Sequence, residues 1–179
     1  MVEKPPPRQP SKRRSKEAKR RIVITRGRED LRNFVTATIR FFTRVEVIQR
    51  AIYAGDLDLA RVSNAVGLGA IEHRVRDPGF HDEFSDYQHI IGVEGQRGVN
   101  ATSVAAATGM PRETVRRKLR ILVDHGVLLE KTRGRYVLKP GFLQDPRNLA
   151  LIEEGMRYAA QYMNDCIAHG VFHWKPESK

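Results

Sequence analysis

The chain has 179 residues, of which 40% are hydrophobic, and its formal net charge is +11 at pH 7. This length accommodates either one domain with a hydrophobic core or a small domain with helical extensions. The sequence contains no apolar run long enough to span a bilayer, and the charged N-terminus lacks the apolar stretch of a signal peptide. The single cysteine, Cys166, excludes an internal disulfide framework and fits a reducing compartment. We therefore expect a cytoplasmic protein with no membrane partner.

Most of the positive charge lies in the first 28 residues, which hold eleven Lys/Arg and two Glu. The stretch EKPPPRQPSKRRSKEAKRR has prolines and serines but no large apolar side chain to bury. Residues 1–28 are therefore predicted to form a disordered basic tail. Two roles fit this tail: a solubilising leader, or an arm that binds DNA phosphates of any sequence by releasing counterions.

The region 29–77 is predicted to be helical. From Asp30 to about Ala54, apolar side chains recur at the 3.6-residue period of a helix, on a face wide enough for two neighbours. A shorter helix is predicted from Leu57 to Val66. The following GLG lacks the preceding strand and the lysine of a phosphate-binding loop, so we interpret it as a turn. A further helix is predicted for residues 80–92.

Residues 100–125 have the pattern of two short helices joined by a tight turn. Asn100 is a plausible N-cap for the first helix, and Gly109 can adopt the positive φ of a helix C-terminus. Pro111 suits the first turn of the second helix, residues 111–125. On that helix one face is apolar and the opposite face is largely basic. The core-facing residues are predicted to be Val115, Leu119, Leu122 and Val123.

The sequence LLEKTRGRYVLKPG follows, and it predicts a β-hairpin with a basic tip. Its strands are expected at about Val127–Lys131 and Arg135–Lys139. Residues 111–139 together hold nine Lys/Arg against three acidic residues, so this is a second basic region. Two such regions point to a polyanionic partner.

The stretch VNATSVAAATGMPRETVRRKLRILVDHGVLLEKTRGRYVL resembles the DNA-binding domains of MarR, IclR and Crp/Fnr regulators, and RETVRR is similar to the Crp-type recognition helix. The resemblance covers about residues 80–140. It implies a mainly α fold with a small β-hairpin wing, a winged helix-turn-helix domain at 78–142 flanked by N- and C-terminal helices. The upstream residues lack the alternating strands of a Crp-type cyclic-nucleotide domain. A MarR-like plan, in which the terminal helices form a homodimer, therefore fits better.

This resemblance implies a transcriptional regulator that binds double-stranded DNA sequence-specifically, with recognition helix 111–125 in the major groove and wing 127–139 on the backbone or minor groove. The residues predicted to face base edges are Arg112, Glu113 and Arg117. The residues predicted to contact phosphates from the helix are Thr114, Arg116 and Arg120, and those from the wing are Lys131, Arg133 and Arg135. The alternative is a winged-helix protein-interaction module in a larger assembly, whose basic face is merely solvated.

The C-terminal region, residues 143–179, predicts a helix that Pro146 opens and that has two apolar stripes. One reading is a helix packed wholly within its own domain. We favour a helix that packs on its own domain with one face and on a second subunit with the other. Such a homodimer would separate two recognition helices by one DNA turn, about 34 Å.

The sequence contains only weak signals of a catalytic or metal-binding site. Cys166, His169 and His173 have spacings that could gather around a metal, but Gly170 argues against a continuous helix there. No Ser/His/Asp order stands out. We therefore predict a non-enzyme, associated with the nucleoid, that has no cofactor and no metal, and we leave regulation by a small-molecule effector open.

Overall fold

The computed structural model describes residues 20–25, 31–77, 79–80 and 88–176. The chain divides into two compact units, one of residues 39–161 and one of residues 1–38 with 162–179. The expectation of a mainly helical chain with a small β-hairpin is confirmed. In chain order, the helices and strands are β1 (Arg20–Ile24), α1 (Leu31–Ile52), α2 (Leu57–Val75), α3 (Ala101–Thr108), α4 (Arg112–Asp124), β2 (Leu128–Thr132), β3 (Arg135–Leu138), α5 (Pro146–Ala168) and β4 (Phe172–Pro176).

The core of the 39–161 unit lies where α2, α3 and α4 meet the β2–β3 hairpin. Each of these elements contributes at least one side chain that is fully removed from solvent; the largest are Val62, Val66, Val104, Val115, Leu119, Leu122, Leu128 and Val137. Burying one such side chain stabilises the fold by about 1.5–3 kcal/mol. The backbone of Val99 pairs with Tyr136 through two hydrogen bonds of 2.9 Å, which adds a third strand position to the hairpin.

Three residues named in the sequence analysis define the start of α3 and the turn between α3 and α4. The Asn100 side chain accepts a hydrogen bond of 2.8 Å from the Ser103 amide and so caps α3. Gly109 ends α3 with φ +70°, and its amide donates to the Ala105 carbonyl. Pro111 directly precedes α4 and needs no amide partner there. The predicted pair of short helices is confirmed.

Helix α2 is longer than predicted, so the expected helix end at Val66 and the turn at GLG are wrong. The helix runs through Gly67 and Gly69 to Val75. A Cβ atom on Gly69 would lie 3.2 Å from Cγ2 of Val99, so glycine allows the strand residue to approach the helix closely. Tertiary packing thus outweighs the low helix propensity of glycine.

The helix predicted for residues 80–92 needs correction where the structure describes it. The helix predicted for 80–92 is wrong for residues 88–92, which are not helical; residues 81–87 lie outside the described ranges. Directly after these residues, the backbone forms a short 3₁₀ turn at Val93–Gly95. A hydrogen bond from Lys131 of β2 to the Val93 carbonyl holds this turn against the hairpin. Periodicity within the segment carries no signal of those contacts.

The smaller unit contains an antiparallel ribbon in which β1 pairs with β4, with Ile22 opposite Trp174. The predicted disordered tail is therefore wrong for residues 20–24, whereas residues 1–19 and 26–28 lie outside the described ranges. Three consecutive β-branched residues in β1 favour a strand, and their partner lies at the other end of the chain. A small buried cluster of Ala37, Cys166 and Val171 completes this unit, and burial raises the pKa of the Cys166 thiol.

Within the 39–161 unit, the C-terminal part of α1 contacts α5. The Arg44 guanidinium donates to Oε1 of Gln161 and lies 4.9 Å from the centre of the Tyr158 ring. Near the other end of the contact, Arg147 donates to the Ala51 carbonyl over 3.3 Å. Helix α5 begins at Pro146, as predicted.

Candidate nucleic-acid interface

Helix α4 has one face in the core and one face in solvent. Val115, Leu119 and Leu122 are completely buried against α2, α3 and the hairpin. The exposed residues of the opposite face are Arg112, Glu113, Arg116, Arg117 and Arg120, while Thr114 is half-buried. The 3.6-residue period of the helix produces this division. Four guanidinium groups therefore project from 13 residues of helix.

Lys118 is the exception among the basic residues of α4, because its side chain is only 10% exposed. Its ammonium donates to Oδ2 of Asp56 and lies 4.0 Å from Oδ2 of Asp58. Asp56 also caps α2, since its Oδ1 accepts from the amides of Asp58 and Leu59. The hydrogen bond from Lys118 and these amides hold the pKa of the Asp56 carboxyl below its ordinary value. This pair fixes α4 to the start of α2.

The acidic residue on the exposed face has a basic neighbour. Glu113 accepts a hydrogen bond of 3.5 Å from Arg116, three residues further along the helix. Both side chains are largely in solvent. Exposed ion pairs of this kind contribute only about 0–1 kcal/mol. The contact therefore leaves both residues able to exchange it for a ligand.

The tip of the hairpin exposes two arginines. Gly134 turns the chain at φ +71°, and its amide donates to Oε1 of Glu130. Arg133 lies in this turn and is exposed. Arg135, also exposed, donates from Nη1 to the Gly98 carbonyl over 3.3 Å. The hydrogen bond to Gly98 thus restrains the Arg135 guanidinium.

Lys131 differs from the other residues predicted for the wing. Its Nζ donates to the carbonyls of Val93 and Gln96, each at 3.0 Å, and lies 3.6 Å from Oε2 of Glu94. The two carbonyls take two of the three donors of the ammonium group, and Glu94 adds an ion pair that is too long for a hydrogen bond. Lys131 therefore holds the 3₁₀ turn against β2 instead of standing free at the hairpin tip.

Tyr136 of β3 is half-buried, and charges on both the hairpin and α4 act on its hydroxyl. Burial raises the pKa of its hydroxyl, and the charge of Glu130 raises it further. The positive charges of Arg120 and Arg116 act in the opposite direction. Helix α4 packs against β2 of the hairpin. The exposed arginines of α4 and the hairpin together are called the basic surface: Arg112, Arg116, Arg117, Arg120, Arg133 and Arg135.

Two residues that organise this surface were missed from the sequence. Lys118 follows Val115 by three residues and precedes Leu122 by four, so helical spacing places it on the core face. That position was a signal that a buried partner such as Asp56 was needed. Gln96 is the second: its side-chain amide accepts from the Leu138 amide and donates to the Leu138 carbonyl. No local pattern marks it.

Comparisons with known proteins give no relative: no family model, curated protein or solved structure matches the chain. In the part of the chain that the structure describes, no group of three or more His, Cys, Asp or Glu side chains is arranged to hold a metal ion. None of the helices in the described ranges combines the length and apolar character needed to cross a membrane. The candidate site therefore rests on its own geometry.

Proposed function

We propose that this protein is a transcriptional regulator that binds double-stranded DNA sequence-specifically through a winged helix-turn-helix. Helices α3 and α4 act as the helix-turn-helix, and the β2–β3 hairpin acts as the wing. The observation that carries the proposal is that the basic surface spans two elements packed against each other, α4 and the hairpin. An α-helix with its side chains is about 10–12 Å across and fits the major groove, which is about 12 Å wide.

The residues of this surface divide by their position on α4. Arg112, Glu113 and Arg117 are assigned to base edges: an arginine can donate two hydrogen bonds to guanine, and a glutamate can accept from cytosine. Thr114, Arg116 and Arg120 are assigned to phosphates, which hydroxyl and guanidinium side chains bind whatever the base sequence. Arg133 and Arg135 would contact the backbone or the minor groove. Lys131 is left out of the proposed phosphate contacts, because two of its three donors bond carbonyls within the protein.

The proposed regulator is a homodimer. In the 39–161 unit, Ile39 and Phe42 of α1 are 61% and 62% exposed, and Met156 of α5 is 67% exposed. Large apolar side chains at this exposure are typical of a protein interface when they cluster. A second copy of the chain is the partner that would supply a second recognition helix one DNA turn away.

Selection of bound duplexes from a random DNA pool by the full-length protein tests the function. We expect enrichment of a two-fold symmetric site with half-sites centred about 10 base pairs apart, or a multiple of one turn. Arg61→Ala, which removes an exposed arginine of α2 outside the basic surface and the proposed dimer interface, is the matched control and should select the same site. Failure to enrich any sequence would contradict the proposal and favour a protein-interaction module.

The dimer is tested by Met156→Glu. Because Met156 is mostly exposed in the single chain, the folded monomer should tolerate the charge, whereas a dimer interface would bury it without a partner. Sedimentation should show a dimer for the wild type and a folded monomer for the variant. A wild-type monomer at micromolar concentration would contradict this assembly.

A further inference from the structure

The 39–161 unit contains a cavity of about 410 Å³ that the DNA-binding surface does not include. Its walls come from α2, from residues 89–91 with Gln96, and from the segment that follows β3. The wall is mainly apolar, and its large apolar side chains include Leu68, Ile71, Ile90, Ile91, Phe142 and Leu143. Pockets for small molecules have volumes of about 300–1,000 Å³ and predominantly apolar linings with few polar groups. The cavity has both properties.

The polar groups of the wall define the chemistry of an occupant. Tyr53 donates a buried hydrogen bond of 2.9 Å to Oγ of Ser63, and burial raises the pKa of this phenol, so it stays neutral. Asn64, the next residue along, is exposed and has no hydrogen-bond partner among the described residues. Lys139 also borders the cavity, but its Nζ lies beside Gly126. His89 and Gln144 also line the cavity, and both already interact with other groups. Together these polar groups suit an uncharged molecule that has one hydrogen-bonding group.

One wall of the cavity is bonded directly to the hairpin. The Gln96 side chain donates to the Leu138 carbonyl at 2.9 Å and accepts from the Leu138 amide at 3.0 Å. From the other strand, Lys131 donates to the carbonyls of Val93 and Gln96. Both strands are thus held by the segment that borders the cavity. A molecule that displaces this segment therefore strains four hydrogen bonds to the hairpin.

We propose that this cavity binds a small, uncharged, mainly apolar molecule with one hydrogen-bonding group, and that its occupancy shifts the hairpin that carries Arg133 and Arg135. The effect on DNA affinity rests on the proposed DNA-binding function; binding in the cavity and the shift of the hairpin do not. A ligand can shift the hairpin only if its affinity for the shifted conformation differs from its affinity for the conformation in this structure.

Gly67 gives a direct way to fill the cavity. It lies on α2 in the cavity wall, and a Cβ atom there would meet no other atom within 4 Å. Gly67→Phe should therefore occupy the cavity without a backbone clash. Gly67→Ala is the matched control, because it makes the same change to the helix backbone and leaves the space open. Asn64→Ala removes the unpartnered polar group without changing the volume of the apolar wall.

The probe is N-phenyl-1-naphthylamine, an uncharged fluorophore with a single N–H donor. We expect saturable 1:1 fluorescence enhancement for the wild-type chain and Gly67→Ala, weaker binding to Asn64→Ala, and loss of binding to folded Gly67→Phe. Equal binding to the wild type and Gly67→Phe would overturn the site. If Gly67→Phe does not fold, Asn64→Ala decides the question, and an unchanged Kd for that variant overturns the proposal.

Amide hydrogen exchange of β2 and β3, measured with and without the probe, tests the coupling. We expect altered exchange of hairpin amides in the wild type and none in Gly67→Phe, and unaltered exchange with the probe bound would overturn the coupling. In a DNA titration, the probe should change the Kd by about fivefold or more, and DNA should change the Kd of the probe by the same factor. A protein that binds probe but no duplex would contradict the proposed function and leave the cavity site standing.

Discussion

Arg117 and Lys118 are adjacent cations on α4 in opposite environments. Arg117 is exposed in the middle of the basic surface, whereas Lys118 is 10% exposed and bonded to Asp56. The outward side chain is free to bind a ligand, and the inward one orients the helix that carries it. Net charge alone does not distinguish these roles, because burial determines whether a cation serves a partner or the fold.

The comparison predicts that changes on the inward face of α4 affect stability most. Leu119 is completely buried between α2, α3 and the hairpin. Leu119→Ala should lower the free energy of unfolding by about 2–5 kcal/mol, through lost burial and the cavity that remains. Urea titration monitored by circular dichroism measures this. A loss comparable to that of an exposed substitution would show that α4 does not pack as described.

A smaller loss of stability is expected when Lys118 is left without its carboxylate. Asp56→Asn retains an oxygen that can cap α2 but removes the charge, so the free energy of unfolding should fall by about 1–3 kcal/mol. Lys118→Met is the matched control: it replaces the buried cation with an apolar chain of similar length and should be less destabilising. Equal losses of unfolding free energy in Asp56→Asn and Lys118→Met would contradict the role given to the buried ion pair.

The same pair predicts how stability depends on pH. The pKa of Asp56 in the folded protein lies below its ordinary value of 3.8. Its contribution is therefore fully present above that value and is lost as the pH falls through the lower, folded-state pKa. Denaturation from pH 7 to pH 2 should show a gap between wild type and Asp56→Asn that is constant above about pH 5 and narrows below pH 4. A gap that widens on acidification would contradict the pairing.

The smallest effect on stability is expected on the outward face. Arg117→Ala should change the free energy of unfolding by no more than about 0.5 kcal/mol, because its side chain is exposed. The thermal midpoint gives the comparison with Leu119→Ala under the same conditions. A large loss for Arg117→Ala would mean that this arginine supports the fold.

The part of the fold that could be predicted from the sequence is the part that local patterns define. Asn100, Gly109 and Pro111 mark the ends of α3 and α4, and each acts through atoms only a few residues away. The hairpin likewise joins neighbouring segments. Local geometry also predicts the exposed side of α4, since a helix with one apolar face must turn the other to solvent.

The remainder depends on contacts between distant residues. Helix α2 keeps its glycines because Gly69 meets Val99, and β1 forms because β4 pairs with it from the other end of the chain. Lys131 has the sequence position of a phosphate ligand, but the carbonyls of Val93 and Gln96 take two of its three donors. In each case the partner lies outside the window in which periodicity or turn chemistry is read.

Base-by-base discrimination by Arg117 is the most direct measurement of the central claim, that the outward face of α4 reads DNA sequence. Full-length wild type, Arg117→Ala and Arg116→Ala are titrated with the selected duplex and with duplexes that each carry one changed base pair. We expect Arg117→Ala to lose about 1–3 kcal/mol on the selected duplex and to relax preference at one position, while Arg116→Ala weakens all duplexes alike. Wild-type protein that binds every duplex equally, or an Arg117→Ala variant with equal losses on all of them, would contradict the account.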